Sequence, residues 1–355
     1  MRLRIKFLYI FFFAAVCSVF PYMPLFLSKA LLIKKEQIGF LLSITPFVEF
    51  FSAAIWTFFA DKFNAHRFVL LICIVFAASI TSSIPLFGKV VGFEGLLFLF
   101  FFYALFNGGI SPLVDNFTIG TLKKEGKQAE YGRQRLWGTL SCGVAASFSG
   151  LLIDLTDIHM IFISYLCMMG GLTGLIISTS TDDFNACRKD IKLLSSDNLE
   201  LDSIVNDDNT DVLMNSANIE ESNTKKSNKD ISFSNLLLRL LEDPRFLFFL
   251  FITLLVTIVK AVSAMYLLLY LSETFDASGT IMGFTVISGI SLEIVCLNYT
   301  KKLMEFFGPR NMMIAGQLAL IIRTGLYGFL GNNMKSWMAL PIESVIISFS
   351  FIGFF

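Results

Sequence analysis

Long apolar segments separated by short polar turns dominate the chain. Segments of about 18 or more largely apolar residues are typical of helices that cross a bilayer core of about 30 Å. Because lipid offers the backbone no hydrogen-bonding partner, a spanning chain must form helices or a closed barrel, and these segments are too long for barrel strands. The pattern predicts an all-α, polytopic membrane protein with spans near 6–28, 38–59, 67–87, 96–122, 136–153, 160–178, 246–270, 281–298, 312–330 and 337–355.

One long polar segment interrupts this pattern. Residues 181–244 are rich in Asp, Asn, Ser and Lys and are too polar to bury a hydrophobic core. We therefore predict three regions: a six-helix transmembrane bundle over 1–180, a disordered cytoplasmic linker over 181–244, and a four-helix C-terminal bundle over 245–355.

The distribution of Lys and Arg predicts the orientation in the membrane. With the N-terminus in the cytoplasm, the inner segments hold 21 of the 28 basic residues and the outer segments hold five. Basic residues concentrate in cytoplasmic loops, so we expect a cytoplasmic N-terminus and a cytoplasmic linker. Only Lys29, Lys34 and Lys35, between the first two spans, form an outer group that runs against the bias.

Composition supports the membrane assignment and excludes several other functions. The chain is 55% hydrophobic, has a mean hydropathy of +0.70 and contains 40 Phe. This composition predicts the lipid bilayer as a partner. The net charge of zero gives no indication of nucleic-acid binding. The six Cys are scattered without CxxC spacing, so we predict neither a metal site nor a disulfide framework. There is no phosphate-binding loop of the Walker type and no nucleophile–base pair with an orienting group. We therefore expect no cofactor, no ATP-driven transport and no enzymatic activity.

Two short polar turns, one in each half of the chain, share a pattern. Each has an acid, then three residues later an Asn or Gly that tolerates left-handed backbone, then a base. The turns hold Asp61, Lys62, Asn64 and Arg67 in the first half and Glu305, Gly308 and Arg310 in the second. Any short inner loop can carry such charges, but their repetition in register favours two homologous bundles that face a central site. We interpret both as gating turns.

The first of these turns and a stretch after the fourth span resemble a known family. Residues 60–64 resemble the signature turn of the major facilitator superfamily, with Asn64 in place of its Gly. Residues 131–138, Tyr-Gly-Arg-Gln-Arg-Leu-Trp-Gly, resemble the lactose-permease-like oligosaccharide:proton symporter branch. They are similar, more closely, to the major facilitator superfamily domain-containing protein six group, as are 291–293 and 340–343. A complete member has twelve spans, so about ten of twelve are expected here, as in a member truncated at its C-terminus.

Seven ionisable residues lie inside or at the edge of the predicted spans. They are Glu49, Asp115, Lys260, Glu293, Arg323 and Glu343, with Arg135 at the membrane edge. A charge at mid-span costs about 2.5–3.5 kcal/mol on insertion scales, so these groups should face one another or a water-filled cavity. Four acids and three bases leave one carboxylate over, and a surplus buried carboxylate binds a proton more readily.

The resemblance implies roles for most of these residues. In the lactose-permease-like branch an acid of the fourth helix and an arginine of the fifth bind substrate, and Asp115 and Arg135 lie at the matching motif positions. Glu293 resembles that branch's carboxylate in the eighth helix, and Arg323 and Lys260 are interpreted as counter-ions.

Structural roles remain the alternative for each of them. Asp115 can serve helix packing, and Arg135 can be an inner-loop charge of the ordinary kind. Glu343 lies near the outer end of the tenth predicted span, where a hydrated structural role competes, and Glu49 has no motif behind it.

Two functions follow from the sequence. The first is a secondary active transporter that carries a small polar solute, with protons, by rocking two bundles about a central site. The second is a non-transporting membrane receptor or scaffold of the same fold, which an incomplete second bundle would favour. We expect an uptake defect on neutralising Glu293 under the first reading and none under the second.

Overall fold

The computed structural model describes residues 2–127, 130–179, 244–330 and 336–343. Within these ranges every regular element is a helix, as the apolar pattern predicts. The α-helices are α1 Arg2–Val19, α2 Met23–Lys29, α3 Lys35–Phe63, α4 His66–Asn107, α5 Ile110–Lys124, α6 Tyr131–Leu155, α7 Met160–Ser178, α8 Pro244–Thr274, α9 Gly279–Phe307 and α10 Pro309–Leu330. Short 3₁₀ turns cover Phe20–Tyr22 and Ser336–Met338, and residues 339–343 are again helical.

Seven helical segments of the described residues are long and apolar enough to cross a membrane. The predicted spans 67–87 and 96–122 both fall within the 59-residue segment His66–Lys124. That segment is interrupted at Gly92, whose φ of 67° only glycine adopts readily, and again between Asn107 and Ile110. The linker predicted at 181–244 lies outside the described residues except for Pro244, and the span predicted at 337–355 is described only to residue 343.

The first predicted span folds as α1 and α2 joined by a 3₁₀ turn. Pro21 and Pro24 stand in the first turns of the two elements that follow α1. A proline lacks the amide hydrogen that a helix interior needs, so it is tolerated at a helix start and breaks the helix before it. The two prolines therefore explain why this span bends at Phe20–Tyr22.

Compact packing is concentrated on α1 and its neighbours. α1 packs against α6 and α7, α3 packs against α4, and α6 packs against α9. Tyr9 and Phe26 are fully buried, whereas Phe50 is 76% exposed. Large apolar side chains on an outer surface are expected where lipid is the solvent, so the exposed rings support a membrane-embedded bundle.

The chain divides into two compact units. One comprises Met1–Ile191 together with Ala264–Phe355, and the other comprises Lys192–Ser263. The first contains α1–α7, the end of α8, α9 and α10, and the second contains the start of α8. The three-region division at 180 and 244 remains a prediction.

A disulfide joins Cys17 of α1 to Cys142 of α6, with 5.1 Å between the two Cα atoms. Our prediction of no disulfide was wrong. The two cysteines are 125 residues apart. Spacing along the chain therefore carries no sign of the bond, which depends on the packing of α1 against α6.

Candidate functional site

The two predicted gating turns share a left-handed residue. Asn64 follows α3 with a φ of 51°, and Gly308 lies between α9 and α10 with a φ of 75°. Each residue lets the chain reverse within a few residues, because Asn and Gly tolerate this conformation. Glu305 lies exposed in the last turn of α9, and Asp61 lies half-buried near the end of α3.

The first turn is tied to its surroundings by polar contacts. Asp61 Oδ1 lies 3.1 Å from His66 Nε2 across the turn. Arg67 Nη2 donates to the backbone carbonyl of Ile177 at 2.7 Å, which fixes the start of α4 to the end of α7. Lys62 Nζ lies 5.9 Å from the centre of the Phe58 ring. These contacts connect the end of α3 with the start of α4 and the end of α7.

Asp115, on α5, is bonded to a tyrosine that the sequence did not single out. The Tyr9 hydroxyl of α1 donates to Asp115 Oδ1 at 2.6 Å. Tyr9 is fully buried, while Asp115 is partly buried. The sequence does contain a sign of this contact, because Tyr9 is the single hydroxyl-bearing residue in the apolar stretch Phe7–Phe13 of α1. A buried tyrosine hydroxyl usually requires a hydrogen-bond partner.

Arg135, in the first turn of α6, lies beside this pair. Its Nη1 atom donates to the Tyr131 hydroxyl at 3.2 Å, and the guanidinium is within electrostatic range of Asp115 and Tyr9. Each of the two predicted site residues is thus bonded to a tyrosine, and the structure brings them into one neighbourhood on α1, α5 and α6. Such a group of donors and acceptors can hold a polar solute.

A second polar cluster joins α10 to residues 339–343. Arg323 Nε donates to Glu343 Oε1 at 2.9 Å, and the Tyr327 hydroxyl donates to the same oxygen at 2.8 Å. The Tyr270 hydroxyl of α8 in turn donates to the carbonyl of Tyr327 at 2.9 Å. Both charged side chains are buried, with 6% and 0% of the arginine and glutamate side chains exposed. Arg323 is therefore the counter-ion of Glu343.

Glu49 of α3 forms a third cluster with the end of α4. Asn107 Nδ2 donates to Glu49 Oε1 at 2.7 Å. Among the described residues no ion pair involves Glu49, which distinguishes it from Glu343. The structure places the two remaining candidates, Lys260 on α8 and Glu293 in the middle of α9.

The opposite end of α6 from Arg135 holds a polar contact that sequence reasoning missed. Asp154 accepts hydrogen bonds from the backbone amides of Gly279 and Thr280 at 2.6 and 2.7 Å, so it caps the N-terminus of α9. Gly150 and Gly279 let the two helices touch, since a Cβ on Gly150 would lie 2.1 Å from the Gly279 carbonyl oxygen. A cavity of about 470 Å³ lies beside this contact and is lined in part by Lys29.

The fold and the buried charges define a multi-pass integral membrane protein of the helical-bundle class. The family model described as "MFS_1 like family" matches residues 2–355. The chain therefore belongs to this family of the major facilitator superfamily, and the resemblance inferred from its turns and motifs is confirmed.

Two curated relatives are similar to part of the chain. One is "Uncharacterized transporter YwbF" of Bacillus subtilis (strain 168), 28% identical over 169 residues, which is 46% of this chain and 41% of that protein. Another is "Maltose permease" of Geobacillus stearothermophilus, 27% identical over 161 residues, covering 44% of this chain and 39% of the relative. The chain thus matches less than half the length of either relative.

Solved structures of the nucleoside transporter NupG share the fold. A structure of a NupG variant superimposes with a TM-score of 0.72 at 16% identity, and another NupG structure does so with a TM-score of 0.68 at 17% identity. Both superpositions cover 99% of this chain and 80% of the matched chain. The all-α, major-facilitator-like helical fold predicted from the sequence is confirmed.

Proposed function

We propose that this protein is a secondary active transporter that moves a small polar solute together with protons by alternating access. The observation that carries the proposal is the group around Asp115, where Tyr9 donates at 2.6 Å and Arg135 lies within electrostatic range. Ionisable groups inside a membrane are costly and mark solute and ion pathways. Family membership and the two relatives, which are named as a transporter and a permease, support the same function.

Charged and tyrosine side chains suit a polar solute because they can replace the hydrogen bonds that the solute loses with water. The candidate residues for solute and proton are Asp115, Arg135, Glu293, Arg323, Lys260, Glu343 and Glu49. The turns proposed to act in gating hold Asp61, Lys62, Arg67, Glu305 and Gly308. A cytoplasmic N-terminus and a cytoplasmic linker are part of this proposal.

Uptake into proteoliposomes tests the function. The purified chain is reconstituted and offered a library of radiolabelled small polar solutes, including disaccharides and nucleosides, with and without an inward proton gradient. We expect at least one solute to accumulate, and to accumulate more when the gradient is imposed. If no solute enters under either condition, the transporter proposal fails and the receptor or scaffold reading replaces it.

Variants of the Asp115 group test the site. Asp115→Asn and Arg135→Gln should each impair solute binding more than folding, because each removes a charge and keeps a polar side chain. Arg133→Gln is the matched control, since Arg133 is exposed in the same turn of α6. Equal loss of binding and of folded protein in both variants would assign the pair a structural role.

A further inference from the structure

Two successive glycines, Gly108 and Gly109, separate α4 from α5 directly against Glu49. α4 ends at Asn107 and α5 begins at Ile110, and both glycines keep right-handed helical backbone angles, so the interruption is one of side chains and not of irregular backbone. Small residues let helices approach closely, and this interruption therefore allows α3 to lie against the backbone beside Glu49.

α3 fits closely into this interruption. A Cβ on Gly108 would lie 2.7 Å from the backbone oxygen of Glu49, so only glycine allows the two chains to approach this closely. The carbonyl of Leu105 accepts hydrogen bonds from Ser52 and, at 2.6 Å, from Trp56 Nε1. Glu49, Ser52 and Trp56 lie on one face of α3, which fixes the carboxyl group against the end of α4.

Among the described residues, the Glu49 carboxyl group has a hydrogen-bond donor but no cation as a partner. The one hydrogen bond to this carboxyl group within the described ranges comes from Asn107 Nδ2, at 2.7 Å. Asn107 Oδ1 is buried without a hydrogen-bond partner in the described residues, as is Thr45 Oγ1, one turn earlier on α3. Within the part of the chain that the structure describes, the titratable groups in electrostatic contact with Glu49 are Tyr103 of α4 and Tyr165 of α7, and neither is a base.

The lack of a cation is informative about the protonation of Glu49. A charge held in an apolar bundle without a cation is costly, and binding a proton removes that cost. The part-buried hydrogen bond from the Asn107 amide does not replace a cation. The contacts therefore favour a neutral Glu49 in this conformation.

We propose that Glu49 is the residue that binds the coupling proton. In this step the Glu49 carboxylate accepts one proton from water on one side of the membrane and becomes a neutral carboxyl group. It later returns the same proton to the other side, so no further reactant is needed. The assignment rests on the proposed transport function, and it identifies the surplus acid among the four acids and three bases in the spans.

The position of Glu49 allows its protonation to affect the candidate solute-binding residues around Asp115. The interruption at Asn107 leads directly into α5, which carries Asp115. Loss of the proton leaves an uncompensated charge against the end of α4 and weakens the contact between α3 and the interruption. The orientation of α5, and with it the Asp115 group, then depends on the proton.

Thermal unfolding measured against pH tests proton binding without any need for transport. A proton held more tightly in the folded protein stabilises the fold at low pH, and that stabilisation is lost as pH rises. The wild-type protein in detergent should therefore lose several degrees of Tm as the pH is raised, and Glu49→Gln should lose much less. Glu94→Gln, which replaces an exposed glutamate of α4, is the matched control and should follow the wild type.

A conservative variant guards against misfolding of Glu49→Gln. Glu49→Asp keeps a titratable carboxyl group and should restore the dependence of Tm on pH. If wild type and Glu49→Gln lose Tm in parallel across the pH range, Glu49 binds no proton and the proposal is overturned.

Transport measurements then test the coupling. Glu49→Gln should lose accumulation driven by a pH gradient while labelled solute still exchanges across the membrane. Unchanged accumulation in Glu49→Gln, or wild-type accumulation driven by a sodium gradient and not by a pH gradient, would overturn the assignment. If the wild-type chain exchanges no solute, the transport function fails, and the unfolding experiment still decides whether Glu49 binds a proton.

Discussion

Glu343 and Glu49 are two carboxyl groups inside the same apolar bundle, and their partners differ. Glu343 lies against the guanidinium of Arg323 at 2.9 Å and the hydroxyl of Tyr327 at 2.8 Å. Glu49 has an amide from Asn107 and, among the described residues, no ion pair. A cation compensates a buried carboxylate, whereas an amide does not, so the missing cation distinguishes Glu49 as the group suited to take up a proton.

Breaking the Arg323–Glu343 pair should have the largest effect on stability. Arg323→Leu leaves the Glu343 carboxyl buried without its cation, and removal of one partner of a buried pair costs about 3–5 kcal/mol. Chemical unfolding in detergent measures this loss. The double variant Arg323→Leu/Glu343→Gln should recover much of it, and a double variant as unstable as the single one would argue against compensation by Arg323.

Replacing Asn107 should have a smaller effect. Asn107→Leu removes the hydrogen bond to Glu49 but strands no charge if Glu49 is protonated, so we expect a loss of about 1–3 kcal/mol. Unfolding at low pH measures it, with Asn311→Leu on exposed α10 surface as the control. A loss as large as that of Arg323→Leu would indicate that Glu49 is charged, and the contrast between the two carboxyl groups would disappear.

Tyr9→Phe tests a third acid, Asp115, which has a hydrogen bond from Tyr9 and a more distant cation, Arg135. The variant removes one hydrogen bond to a partly buried carboxyl group that water can reach, so we expect a loss of about 1 kcal/mol. Solute affinity should fall together with that of Asp115→Asn in a binding titration. Unaltered affinity would remove Tyr9 from the candidate site.

An exposed carboxylate outside the spans should show the opposite pH dependence from Glu49. The hydrogen bond from His159, followed by that from the Ile158 amide, holds the pKa of Asp157 below its usual range. The associated stability is present above the pKa of the unfolded chain and is lost as pH falls. Asp157→Asn should therefore flatten slightly the acid side of the Tm profile. The effect should be small because the group is exposed to solvent, and a flattened alkaline side instead would contradict this sign.

The sequence predicts the helices and turns well and the partners of its charged residues poorly. Long apolar segments predict membrane-spanning helices directly. Asn64 and Gly308 predict left-handed turns, because few residues tolerate that backbone conformation. Tyr9 and Asn107 were missed because their roles depend on contacts between helices far apart in sequence. The same is true of the bond between Cys17 and Cys142.

The prediction for Glu293 shows a second limit. Its motif resemblance made it the acid whose neutralisation should impair uptake, and it lies in the middle of α9. The partners of Glu49, which no motif marks, point to a different residue. Comparing Glu293→Gln with Glu49→Gln in the same uptake assay separates the two, since the residue that binds the coupling proton should abolish pH-driven accumulation when neutralised.

The most direct test of proton-coupled transport with Glu49 as the proton-binding residue is the simultaneous measurement of solute and proton movement in lightly buffered proteoliposomes. We predict that solute added to wild-type vesicles carries protons inward, seen as an external pH rise that a proton conductor abolishes. In Glu49→Gln vesicles, solute should enter without a pH change. Proton movement that persists with solute in Glu49→Gln, or solute entry into wild-type vesicles with no pH change, would contradict the account.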